Sequence, residues 1–166
     1  MDTHSLQNHD ELIQKVKKMA TFRSFEKKDF YRILNFSKIR EYEPGETILE
    51  EGSYDNWIFF IISGKVRVVR HDREISVLSR TGDIFGEMGI IDGSARSASV
   101  SALEKTICLA TDISFMDRLT GEDRLAFTAM LYQLLAEILA VRLRTTSEEL
   151  VLAREEIAAL KGEAGR

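Results

Sequence analysis

Between Glu122 and Lys161 the chain has neither proline nor glycine and is dense in Ala, Leu, Glu and Arg. Such a stretch can only be one long helix. Along it Leu125, Ala129, Tyr132, Ala136, Leu139, Leu143, Thr146, Leu150, Ala153, Ile157 and Leu160 step by four and three without a break. That is the spacing of a heptad seam, and a seam asks for a parallel partner helix, so a homodimer is expected. A second apolar stripe, Phe127, Leu131, Leu134, Ile138 and Val141, occupies only the first half. This half is expected to cover the chain's own N-terminal domain while residues 145–166 project beyond it. The alternative, a helix lying on its own core throughout, leaves Leu150, Ile157 and Leu160 exposed in a monomer.

Upstream the period changes twice. Leu12, Ile13, Val16 and Met19 share one face of a short helix over residues 10–20, with Lys15, Lys17 and Lys18 opposite. A second helix is expected from Phe25 to about Phe36, capped by Ser24, with Phe30, Ile33 and Leu34 inward. From Ile39 to Thr111 come short runs rich in β-branched and aromatic residues: 39–42, 47–50, 57–62, 65–70, 75–78, 97–102 and 106–110. Turn signals separate them at Pro44-Gly45, Glu51-Gly52, Ser63-Gly64, His71-Asp72 and Gly82-Asp83. Many short strands at this spacing make a sandwich or barrel. The expected fold is therefore α+β: N-terminal helices, an antiparallel β-roll over residues 1–120, and a long dimerising helix and tail over 121–166.

The chain has 166 residues, 44% of them hydrophobic, which is enough to fill one core. A net charge of -4 supplies no field that would draw the protein to nucleic-acid backbones or anionic lipid. Residues 1–10 lack the apolar segment of a secretion signal, and no apolar run approaches the length of a membrane span. The single cysteine, Cys108, sits in an apolar run with no disulfide partner, as in a reducing cytoplasm. His4, His9 and His71 lie in a polar tail and a turn, so no metal-ligand cluster is expected. No nucleophile–histidine arrangement suggests an enzyme either.

The chemistry gathers in Gly82 to Val100, a glycine-bearing segment with Glu87 and Arg96 nine residues apart. Gly86 and Gly89 permit close backbone approach to a ligand, and a helical turn over Glu87 to Ile91 can direct amide N–H groups at an anion. Arg96 meets an anion with a planar fork of donors. Glu87, an acceptor only, suits a sugar hydroxyl. Acid for ribose and arginine for phosphate describe a nucleotide site; an ordinary turn with a surface ion pair between Glu87 and Arg96 is the other reading of these residues alone.

The whole pattern resembles the phosphate-binding cassette of the cyclic-nucleotide-binding family, in its catabolite-activator-like form. The resemblance rests on Phe85-Gly86-Glu87, the spacing to Arg96-Ser97-Ala98, and the upstream Pro44-Gly45-Glu46-Thr47-Ile48, Glu51-Gly52 and Ser63-Gly64-Lys65-Val66. It spans roughly residues 19–160. Ala95 departs from the proline that eukaryotic members usually carry before the arginine. The resemblance implies a ligand site of Phe85, Gly86, Glu87, Met88, Arg96, Ser97 and Ala98. Glu87 would accept the ribose 2′-hydroxyl, Arg96 would neutralise the cyclic phosphate, Ser97 would bond phosphate or purine, and the Ala98 N–H would help hold the phosphate. Residues 142–150 resemble the end of the family's dimer helix, which implies that Thr146 and Ser147 reach the purine, one from each chain. Thr146 is also the polar residue in an otherwise apolar seam, although a helix contact can tolerate a threonine bonded to the preceding turn. The function so implied is that of a homodimeric cyclic AMP sensor, cyclic GMP being the other candidate, that signals to an effector protein and contacts neither DNA nor membrane. No helix-turn-helix is expected after the dimer helix. A coiled-coil scaffold with a vestigial or differently liganded pocket is the alternative function.

Overall fold

The computed structural model describes residues 6–23 and 25–164, and divides the chain into two units after Thr128. The elements are α1 (Leu6–Lys18), α2 (Lys27–Asn35), β1 (Ser37–Tyr42), β2 (Thr47–Leu49), β3 (Trp57–Ser63), β4 (Val66–Arg70), β5 (Arg73–Leu78), β6 (Ile84–Phe85), α3 (Met88–Asp92), β7 (Ser99–Ala102), β8 (Thr106–Asp112) and α4 (Gly121–Ala164). Single 3-10 segments cover Ala20–Phe22 and Ile113–Arg118. The expected cap Ser24 lies outside the described residues, and α2 starts two residues later than the sequence suggested, at Lys27 behind Glu26.

Two four-stranded antiparallel sheets form the roll, in the orders β1-β8-β3-β6 and β2-β7-β4-β5. Alternate residues of each strand face the space between them, where Leu49, Phe59, Ile61, Val66, Phe85, Val100, Ala102, Cys108 and Ala110 make the core. Strand β3 is buried on both faces, which is why Trp57 to Ile62 reads as an unbroken apolar run. Its other face meets the N-terminal helical segments, with Phe22 packed 4.9 Å from Phe60 and 5.5 Å from Phe30. The strand that the sequence did not reveal is β6. It is two residues long, too short to show a period, and exists because Phe59 pairs with Phe85 and Phe60 with Ile84. His71 and Asp72 both take positive φ and close the β4–β5 hairpin.

The first unit ends within the first turns of α4. There Phe127 is buried and meets Phe115 edge-on at 5.0 Å, while Phe115 stacks on Phe36 at 4.1 Å. The second unit is the remainder of α4. Over one 18-residue window this helix averages a hydropathy of 1.4, long and apolar enough by length and composition alone to cross a membrane, while Gln133, Glu137 and Arg142 keep its uninterrupted apolar runs short, as the sequence indicated. Its distal part exposes Leu143, Leu150, Val151, Leu152, Ile157 and Leu160.

Candidate functional site

The cassette lies between β6 and β7, with α3 at its centre. Gly86 turns the chain out of β6 at φ +85°, and a Cβ there would stand 2.9 Å from the Trp57 carbonyl oxygen and 3.2 Å from the Arg96 guanidinium. A Cβ on Gly89 would stand 2.8 Å from the Ser94 carbonyl oxygen. Both glycines therefore serve close approach, as their spacing suggested, but to the protein's own backbone and to Arg96. Within α3 the amides of Ile90 and Ile91 both donate to the Glu87 carbonyl, at 3.1 and 3.2 Å. Gly93, in the left-handed conformation, ends the helix.

Arg96 is held on all sides. Its backbone N–H donates to the Ser53 carbonyl at 2.8 Å, and its carbonyl accepts from the Gly52 amide at 2.9 Å. The residue is 4% exposed. Nε donates to Asp55 Oδ2 at 3.1 Å, one Nη donates to Asp55 Oδ1 and to the Trp57 carbonyl at 2.6 Å, and the other Nη donates to the Gly86 carbonyl. These four bonds take four of the five N–H groups of a guanidinium. Asp55 completes the fork-to-fork pair and also accepts from the Trp57 amide at 2.9 Å. Partial burial opposes its charge, yet the bonds from Arg96 and the Trp57 amide, with the nearby charges of Arg96 and Arg40, outweigh that and hold its carboxyl below the usual range. The Arg40 guanidinium lies 4.4 Å over the Trp57 ring on the same side of the roll.

Glu87 is buried, at 2% exposure, and is engaged within the protein. Arg96 forms an ion pair with Asp55, whose side chain is 30% exposed, and since Glu87 and Arg96 are themselves both buried, neither belongs to the surface pair considered from the sequence. Ser97, half-buried, directs its hydroxyl at the sulfur of Met88 across the cassette mouth at 3.7 Å, and Met88 is half exposed. Ala98 is buried behind them. Phe85, expected as a ligand residue, stands elsewhere: it is 3% exposed and its ring stacks on Phe59 at 5.0 Å, so it supports the cassette from the core. Thr146 and Ser147 are exposed residues of α4 in the second unit. Beside them Thr145 donates its hydroxyl to the Val141 carbonyl at 3.2 Å.

Asp55 escaped the sequence reading. It stands 41 residues before Arg96, and only the antiparallel packing around β3 brings the two together. The one signal in the sequence is an acid in the polar turn just ahead of the most apolar strand. Among the described residues, no group of three or more His, Cys, Asp or Glu is placed to hold a metal ion. A cavity of about 380 Å³ lined by Ile13, Val16, Leu34, Ser37, Lys38, Ile39 and Leu109 contains none of the cassette residues.

The profile of the cyclic nucleotide-binding domain matches residues 39–123, half of the chain, and the chain belongs to that family. It is 35% identical over 127 residues to the cyclic AMP receptor protein of Thermus thermophilus, covering 72% of this chain and 55% of that protein. It is 33% identical over 89 residues to a cGMP-dependent protein kinase of Eimeria tenella, covering 54% of this chain and 9% of the kinase. The crystal structure of a cyclic nucleotide-binding domain from Methylobacillus flagellatus superposes with a TM-score of 0.71 at 21% identity, over 87% of this chain and 83% of that one. The chain thus spans about half the length of the receptor protein and a small part of the kinase.

Proposed function

We propose that the chain is a regulatory sensor of cyclic AMP, without catalysis of its own, that acts in the cytoplasm as a homodimer through α4 and signals to a partner protein. The observation that carries the reading is Arg96: a guanidinium buried inside the family's cassette and positioned by two separate segments, Asp55–Trp57 and Gly86. The remaining guanidinium N–H, the Ser97 hydroxyl and the Ala98 amide would receive the cyclic phosphate, Glu87 would accept from the ribose 2′-hydroxyl, and Thr146 with Ser147 would reach the purine. With Asp55 and two carbonyls on the guanidinium, the ligand competes with the protein for it. Apparent affinity is then reduced by the fraction of chains whose cassette is open. Rearrangement around Arg96 pulls on the start of β3 and the end of β6, and a nucleotide that contacts the two arrangements unequally shifts their populations. Calorimetric titration with cyclic AMP and cyclic GMP is the direct test. Heat with cyclic AMP, tighter than with cyclic GMP, supports the reading; no heat with either abandons it.

The four internal bonds of the Arg96 guanidinium favour a second reading, a coiled-coil scaffold whose pocket is vestigial or takes another anion. On that reading Arg96→Ala leaves oligomeric state and partner binding unchanged and there is no nucleotide affinity to lose. On the first reading the variant loses nucleotide affinity by roughly 30-fold or more, since a buried charge-assisted contact is worth about 2–5 kcal/mol.

A further inference from the structure

The described methionines differ in their access to solvent. Met19 is 3% exposed, Met116 and Met130 are half-buried, and Met88 is 50% exposed. Cys108, the single cysteine, is fully buried, and that burial pushes its thiol up to about 12, so it offers an oxidant no thiolate. Among the described residues the accessible sulfur is therefore that of Met88. It belongs to the first residue of α3, at the mouth of the cassette, where the Ser97 hydroxyl donates to it at 3.7 Å. A thioether is a weak acceptor, so this hydroxyl is held loosely and is free to turn to a better one.

We propose that Met88 is an oxidation site through which a hydroperoxide desensitises the cassette. The inference rests on the sensor reading, in which Ser97 donates to the cyclic phosphate, and adds a modification that competes for that donor. A sulfur lone pair attacks the terminal oxygen of the peroxide; the S–O bond forms as the O–O bond breaks, and sulfur is oxidised by two electrons. The proton on the transferred oxygen passes to the leaving oxygen, which departs as water or an alcohol. Of the two sulfoxide epimers, the one whose oxygen faces Ser97 sets a strong acceptor nearer the hydroxyl than the sulfur was. Ser97 then bonds Met88, and a nucleotide must break that bond before its phosphate can receive the hydroxyl. Affinity falls while the core is untouched, because the Met88 side chain stands half in solvent. The change is reversible, since a sulfoxide reductase regenerates the thioether. The oxidant level thereby sets the nucleotide concentration at which the cassette fills.

The test treats the full chain with dilute hydrogen peroxide and reads the oxidised positions by peptide mass spectrometry and the affinity for cyclic AMP and cyclic GMP by calorimetry. Circular dichroism checks that the fold is retained. The expected result is that Met88 gains oxygen ahead of Met19, Met116 and Met130, and that the oxidised wild type binds its nucleotide about 10-fold more weakly than the reduced one, the worth of one hydrogen bond. Methionine sulfoxide reductase should restore the affinity. Met88→Leu and Ser97→Ala are each compared with themselves, before and after peroxide, because both residues belong to the proposed ligand site. Neither should weaken further on oxidation, the first for want of the sulfur and the second for want of the hydroxyl. A reduced wild type that binds neither nucleotide overturns the sensor reading and this inference with it. Binding that survives oxidation of Met88 undiminished, a loss that persists in either variant, or faster oxidation at Met19, Met116 or Met130 overturns the oxidation site alone.

Discussion

Replacing Arg96 by alanine removes the one side chain that ties the loop before β3, the first residue of β3 and the turn after β6 to one another. Two carbonyls, those of Trp57 and Gly86, lose a donor. Leaving a buried acceptor unsatisfied costs about 1–3 kcal/mol each. Asp55 loses its partner too, but its side chain is 30% exposed and can hydrate, so its share is discounted to about 1 kcal/mol or less. The total is about 3 kcal/mol, since water enters the vacated space and relieves part of the carbonyl loss. For a chain of this length that lowers Tm by roughly 6–12 °C at neutral pH. Scanning fluorimetry across pH adds a second readout. The folded pKa of Asp55 lies below its ordinary value of 3.8, so its share of stability is complete above that value and is lost as pH falls through the lowered one. The gap between wild type and variant should therefore narrow below about pH 4. A Tm loss under about 2 °C at pH 7 would refute the argument that Arg96 organises the cassette. A gap that stays constant into acid would refute the role given to Asp55.

Gly86→Ala needs a left-handed backbone and sets a Cβ 2.9 Å from the Trp57 carbonyl, so it should destabilise by about 2 kcal/mol or more and abolish the Tm increase that saturating cyclic AMP gives the wild type. Phe127→Ala leaves a cavity against Phe115 and should cost about 3–5 kcal/mol in urea unfolding, with circular dichroism locating the loss. Burial pushes the Cys108 thiol up to about 12, so a thiol reagent at pH 8 should modify it only after unfolding; modification of the native protein at the rate of a free thiol would contradict its placement. Because the unfolded chain releases that proton first, stability should also decline as pH rises past the ordinary thiol value of 9.0.

What neighbours along the chain can encode was legible in the residues alone. Proline- and glycine-free periodicity specified α4, the glycines and polar pairs specified the turns of the roll, and Phe85-Gly86-Glu87 with Arg96-Ser97-Ala98 marked the cassette. What it left open was decided by pairing across the sheets. The contacts of β3 with β6 created a strand of two residues and drew the Phe85 ring into the core. The same packing laid Asp55 against an arginine 41 positions away. Helices and turns arise from interactions within a few residues, so their pattern is written locally. A buried guanidinium takes whichever acceptors the closed fold delivers to it, and that set exists only once distant strands have met.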